Sequence, residues 1–184
     1  MPWSAVLLAG GKSSRMGCDK AFLEIGGRPL WQHQLETLAH LFPARMMISG
    51  PSRKEWSAYE IVPDEQANAG PLAGIAAALK TCGTSHLLVL AVDLPRMTSD
   101  YLGLLLKDCT EDQGVVPRGD DFFEPLAAVY PASCTSLAEG NLRSDDFSMQ
   151  NFVRRGREQQ LLLERVITQA EIPLFSNLNS PADL

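Results

Sequence analysis

Short apolar runs alternate along this chain with stretches whose apolar residues recur at helical spacing. Ala5–Leu8, Arg45–Ser49, Ile61-Val62 and Val115-Val116 read as strands. His86–Val92 is the most continuous apolar run, as expected of a strand buried on both faces. Trp31, Leu35, Leu38 and Leu41 or Phe42 follow Pro29 at the period of a helix, with Trp31 directed to the core and His33 to the other face. Pro71 opens a second helix through Ile75–Leu79, and Thr98 is a good N-cap for a third through Leu106. Segments 132–139 and 148–155 read as further helices, the second capped by Ser148. This alternation predicts an α/β fold: a three-layer α/β/α sandwich around a Rossmann-like, mostly parallel sheet.

Other segments carry weaker signals. Ala21–Ile25 reads as a short apolar segment closed by a Gly26-Gly27 turn, and 52–60 as a polar helix or loop. Glu124–Tyr130 reads as a strand, and its Pro125 points to a start at or near a sheet edge. Asn141–Phe147 is charged and expected to be a mobile insert. Gln160–Ile167 fits helix or strand equally well. From Leu174 a final strand is expected to run out into Asn177 and Asn179 and a capped turn.

Composition narrows the class. With 184 residues, 45% hydrophobic and 21% charged, the chain reads as one globular domain, residues 1–184. The net charge of −6 argues against a broad nucleic-acid surface. No apolar stretch suggests a membrane span, and the N-terminus lacks the basic region of a signal peptide. Cys18, Cys82, Cys109 and Cys134 are widely spaced, which fits reduced thiols in a cytoplasmic protein rather than a zinc site.

Against this acidic background, Lys12, Arg15 and Lys20 cluster just after the first strand, around Gly10-Gly11. Adjacent glycines allow a tight turn whose N–H groups approach a ligand closely, and the cations suit a polyanion such as a triphosphate. Two familiar phosphate motifs are excluded. A Walker A loop would need glycine at Val6, and a dinucleotide fingerprint cannot begin with contiguous glycines. Asp93 follows the central apolar strand, at the strand end where open α/β sheets bind ligands. By position alone it is equally a turn aspartate before Pro95 or a ligand for a hard cation. Beside the basic loop, metal binding is the better reading, because Mg²⁺ needs only one or two carboxylates plus phosphate oxygens. Such a set suits nucleotidyl transfer, in which the protein positions two anions and neutralises charge, and an ionised phosphate nucleophile needs no general base.

The stretch Leu8-Ala9-Gly10-Gly11-x-Ser13-x-Arg15-Met16-Gly17-x-Asp19-Lys20 resembles the N-terminal loop of the molybdenum cofactor guanylyltransferases. The resemblance extends to Gly70-Pro71-Leu72-Ala73-Gly74, to Asp93-x-Pro95, and to Asn177-x-Asn179-x-Pro181-x-Asp183. It implies the sheet of the nucleotide-diphospho-sugar transferase type. It also implies transfer of GMP from Mg·GTP to the terminal phosphate of molybdopterin, with pyrophosphate released. Residues matched to the nucleotide side are Leu8, Ala9, Gly10, Gly11, Lys20, Ser49, Asp64 and Asp93, with Asp93 as the metal ligand. Arg15, Lys20 and Asp93 are the implied catalytic set. Gly70, Gly74, Asn177 and Asn179 match the pterin side, although the asparagines taken alone read as turn and capping residues. Molybdenum-insertion and molybdoenzyme-maturation proteins are the implied protein partners. Ser49 departs from the pattern, since asparagine occurs there in the family, and the 141–146 insert is longer than expected. The alternatives are a relative that uses CTP or a sugar-phosphate acceptor, and a nucleotide-binding regulatory or scaffold protein without catalysis.

Overall fold

The computed structural model describes residues 1–10, 19–63, 66 and 68–178. The first strand is β1 (Trp3–Leu8); beyond the undescribed residues come a short 3-10 turn at Lys20–Phe22 and a small hairpin of β2 (Glu24–Ile25) and β3 (Arg28–Pro29). Helix α1 (Leu30–Ala39), strands β4 (Met46–Ser49) and β5 (Glu60–Val62), and helix α2 (Pro71–Thr81) follow. The central strand β6 (His86–Ala91) leads into α3 (Ser99–Asp108), whose N-cap Thr98 accepts the Tyr101 N–H. Strands β7 (Gly114–Arg118) and β8 (Ala127–Pro131), helices α4 (Cys134–Arg143) and α5 (Met149–Glu158), and strand β9 (Leu162–Val166) complete the regular structure. Ser148 caps α5 through the Asn151 N–H, as expected.

Seven strands form one sheet in the order β5-β4-β1-β6-β8-β7-β9. Its pairings are parallel except for the two made by β8, so the sheet is mostly parallel. Strand alternation sorts the core into two layers. Ala5 and Leu7 of β1, with Leu88 and Leu90 of β6, meet Leu35 and Leu38 of α1 and Leu102 and Leu105 of α3. Val6, Leu8, Leu87 and Val89 face the other way, onto Leu72 and Ile75 of α2 and Ala138 and Phe152 of α4 and α5. Every residue of β6 is buried, which is why it reads as an unbroken apolar run.

Three weaker expectations are corrected and others are refined. The strand expected over Glu124–Tyr130 begins at Ala127 and is an interior antiparallel strand between β6 and β7; β5 and β9 are the edges. Pro125 precedes it, and its carbonyl accepts the buried Tyr130 hydroxyl at 2.8 Å, so the missing N–H costs the sheet no ladder bond. Ala21–Ile25 divides between the 3-10 turn and the hairpin. In 52–60, Trp56 is fully buried at the end of a 3-10 turn, Lys54–Trp56, against the rings of Phe22 and Trp31.

The charged 141–147 segment is tied down rather than mobile. Asn141 is buried in α4 and accepts from Arg155 at 2.7 Å, while Asp146 pairs with Arg155 at 3.0 Å and accepts from Asn151. The final strand is absent among the described residues. A 3-10 turn, Ile172–Phe175, stands there, and Phe175 packs edge-on against Tyr101. Gln160–Ile167 resolves into edge strand β9, with Leu162–Val166 paired parallel to β7.

Candidate active site

The parallel register decides which residues meet. Leu8 at the end of β1 stands between Ser49 of β4 and Ala91 of β6. Two residues beyond those partners, Gly10 and Asp93 leave the sheet on the same rim. Hydrogen bonds lock both exits: Val92 N–H donates to the Leu8 carbonyl at 3.1 Å, and Ala9 N–H to the Ser49 carbonyl at 2.9 Å. Here the rim opens into a cleft of about 220 Å³. Eight of the residues singled out from sequence line it: Leu8, Ala9, Gly10, Lys20, Ser49, Gly70, Gly74 and Asp93.

Lys20 and Asp93 face each other across the cleft, Nζ to Oδ2, at 3.6 Å. Lys20 heads the 3-10 turn, and Asp19 caps that turn by accepting the Ala21 N–H at 3.0 Å. Asp93 follows the end of β6, a strand buried throughout and so a rigid mount for a carboxylate. Each side chain keeps roughly a quarter of its surface open, 23% for Lys20 and 29% for Asp93, so both are accessible to a ligand.

Helix α2 begins at the cleft wall, with Gly70, Pro71 and Gly74 all lining it. Gly70 adopts φ +65°, a left-handed backbone that glycine takes without Cβ strain. The N-terminus of an eleven-residue helix therefore opens on this space, adding partial positive charge to that of Lys20.

Three contributors escaped the sequence reading. Gly50, just past β4, has φ +152°, and a Cβ there would stand 3.0 Å from the Gly10 nitrogen. It lets the second strand's exit press against the glycine loop. Leu126, before β8, lines the cleft and accepts the Ala91 N–H through its carbonyl at 2.8 Å. Arg53 pairs with Asp19. Of these, only Gly50 left a trace in sequence, as a glycine after a strand, and that trace indicates a turn without showing what the turn packs on.

Asn177 is exposed and does not line the cleft, but the next residue, buried Leu178, donates its N–H to the Asp93 carbonyl at 2.9 Å. The segment expected on the pterin side therefore reaches Asp93 by its backbone. Gly11, Arg15, Asp64 and Asn179 lie outside the described residues.

Histidine is missing from the cleft lining. His33 and His40 belong to α1 and its C-cap, and His86 starts β6 at the opposite rim, where burial lowers its pKa. Glu124, on the approach to β8, is half-buried and its carboxyl is raised by desolvation. Among the described residues, no three His, Cys, Asp or Glu side chains gather into a metal cage. A single strand-end carboxylate such as Asp93 can hold Mg²⁺ when ligand oxygens complete the coordination. No helix among the described residues is long and apolar enough to cross a membrane.

A mostly parallel sheet with a glycine exit, a lysine and a strand-end aspartate on one rim has the architecture of the nucleotidyltransferases. Residues 5–161 match the family model described as the MobA-like NTP transferase domain, and the chain belongs to that family. It is 39% identical to a probable molybdenum cofactor guanylyltransferase of Opitutus terrae, over 98% of this chain and 92% of that protein. It is 35% identical to the molybdenum cofactor guanylyltransferase of Syntrophotalea carbinolica, over 82% and 73% respectively. Molybdopterin-guanine dinucleotide biosynthesis protein A from Archaeoglobus fulgidus superposes with a TM-score of 0.76 at 23% identity, covering 98% of this chain and 94% of that one. A 2-C-methyl-D-erythritol 4-phosphate cytidylyltransferase from Thermus thermophilus superposes at 0.70 with 13% identity, covering 97% and 93%. The fold is thus common to enzymes named for different nucleotides, and the sequence relatives are those named for guanylyl transfer.

Proposed function

We propose that this cleft transfers GMP from GTP to the terminal phosphate of molybdopterin. An oxygen of the acceptor phosphate forms a bond to the α-phosphorus, and the bond from that phosphorus to the bridging oxygen breaks. Pyrophosphate leaves with the electron pair. The observation that carries this reading is the Lys20–Asp93 pair at 3.6 Å, beside Gly10 and the start of α2.

The reacting groups are all anions, so the protein's work is positioning and charge neutralisation. In the proposed arrangement Gly10 and Gly11 cradle the triphosphate through backbone N–H groups, and Leu8 and Ala9 wall the nucleotide. Ser49, at the end of β4, and Asp64 are assigned to the nucleotide. Lys20 and Arg15 offset the charge that develops on the transferring phosphoryl group and the departing pyrophosphate. Gly70 and Gly74, which line the cleft, are assigned to the pterin side, and so are Asn177 and Asn179. Asp93 holds Mg²⁺, which when bound neutralises phosphate charge as a Lewis acid.

Pyrophosphate release in the presence of GTP, Mg²⁺ and molybdopterin tests the proposal, with CTP as the comparison. A clear preference for CTP would reassign the nucleotide. Tight GTP binding with no pyrophosphate under any acceptor would favour a binding protein over an enzyme.

A further inference from the structure

Asp19 stands beside Lys20, and its two carboxylate oxygens have separate tasks. Oδ1 accepts the Ala21 N–H at 3.0 Å, capping the turn that begins at Lys20. Oδ2 takes the guanidinium of Arg53, from the segment that follows β4. Arg53 in turn lies over the rings of Phe22 and Trp56, at 5.0 and 5.5 Å from their centroids. Those rings are stacked at 6.0 Å, and Trp56 is fully buried. The guanidinium is therefore fastened to a carboxylate and two aromatic faces, which exploits its planarity and weak hydration. Arg53 does not line the cleft, whereas Asp19 and Lys20 do.

We propose that Arg53 is a positioning residue for the transfer reaction, acting through Asp19 to hold the Lys20 ammonium opposite Asp93. A three-residue 3-10 turn has little stability of its own, so its geometry depends on what fastens its cap. Arg53 supplies the fastening from the strand exit that also carries Ser49 and Gly50. The nucleotide wall and the transfer lysine are thereby tied to each other. Removing the guanidinium leaves Asp19 without its cationic partner, frees the cap and lets Lys20 sample positions away from the reacting phosphate.

This inference rests on the guanylyl-transfer reading, and two measurements separate their failures. In steady-state assays, Arg53→Ala is expected to lower kcat by about ten- to a hundredfold, the scale of a misplaced group, with the KM for GTP changed less than about threefold. Asp19→Asn should give a similar loss, and the double variant no more than the worse single. Arg53→Ala combined with Lys20→Ala should be no slower than Lys20→Ala alone. Losses that multiply in that pair, or a raised KM with unchanged kcat, would mean that Arg53 meets substrate itself.

The second measurement needs no turnover. Brief acylation of the intact protein with an N-hydroxysuccinimide ester, mapped by mass spectrometry, should modify Lys20 several-fold faster in Arg53→Ala while Lys107 on α3 stays unchanged. If Arg53→Ala does not fold, Arg53→Gln carries both measurements. An unchanged Lys20 labelling rate in the folded variant overturns the positioning role. A wild-type protein that transfers no GMP, with the labelling shift present, would overturn only the reaction.

Discussion

Placing one methyl group at residue 50 tests whether the glycine exit of β1 is held in a working shape by its neighbour. An alanine Cβ at Gly50 would stand 3.0 Å from the Gly10 nitrogen, 3.2 Å from the Ala9 carbonyl carbon and 3.3 Å from the Gly10 Cα. Comfortable carbon contacts lie at about 3.5–4.0 Å, so relief requires movement of roughly half an ångström. All three close atoms are backbone, and no rotamer change can absorb the overlap. Both sides are also pinned, because Ala9 N–H donates to Ser49 at 2.9 Å and Gly50 N–H to Val62 at 3.3 Å.

Overpacking of this kind costs about 1–3 kcal/mol, which corresponds to about five- to 150-fold in kcat/KM if it falls on the nucleotide complex. Gly10 lines the cleft, so the strain should appear there. For Gly50→Ala we expect kcat/KM for GTP to fall within that range and Tm to fall by about 2–12 °C. Gly26→Ala is the control. Gly26 has φ +59° with nothing within 4 Å of its would-be Cβ, so that variant bears the backbone strain without the collision. It should lose a few degrees of Tm and keep wild-type kcat/KM. A Gly50→Ala enzyme with unaltered GTP kinetics, or a Gly26→Ala enzyme equally impaired, would refute the close-approach reasoning.

Lys20→Ala removes a charge-assisted contact of about 1.5–3 kcal/mol, so kcat should fall by at least about tenfold with a smaller change in GTP binding; unchanged turnover would remove Lys20 from the transfer step. Asp93→Asn should keep the fold, as measured by circular dichroism, while raising the Mg²⁺ concentration needed for half-maximal rate and lowering the rate by at least about ten- to a hundredfold. A folded variant with a wild-type Mg²⁺ titration would remove the metal role. Glu124→Gln addresses stability. Burial raises this carboxyl's pKa above its value in the unfolded chain, so the fold favours the protonated form, and the stability linked to it is lost as pH rises through the folded-state pKa. The glutamine variant should therefore melt higher than wild type near pH 8, with the gain shrinking below about pH 4.5; the same Tm difference at both pH values would contradict this.

Strand-end chemistry was legible in the amino acids because it depends on short-range pattern. The unbroken apolar run of β6 announces burial on both faces, and Asp93 at its end is then bound to leave on the ligand-binding rim. The glycine pair after β1 and the Pro71 start of α2 are local signals of the same sort. The interior antiparallel place of β8, the tethering of Asn141 to Arg155 and the docking of Leu178 on Asp93 were decided by tertiary structure alone. So were the contacts of Gly50 with Gly10 and of Arg53 with Asp19. Each of these joins segments distant in the chain, through a hydrogen bond, an ion pair or a collision that depends on a few tenths of an ångström. Hydrophobic period and turn chemistry report only on neighbours a few residues away. The sequence alone therefore determined which elements form and which residues reach the rim, and chain packing decided how firmly those residues are held.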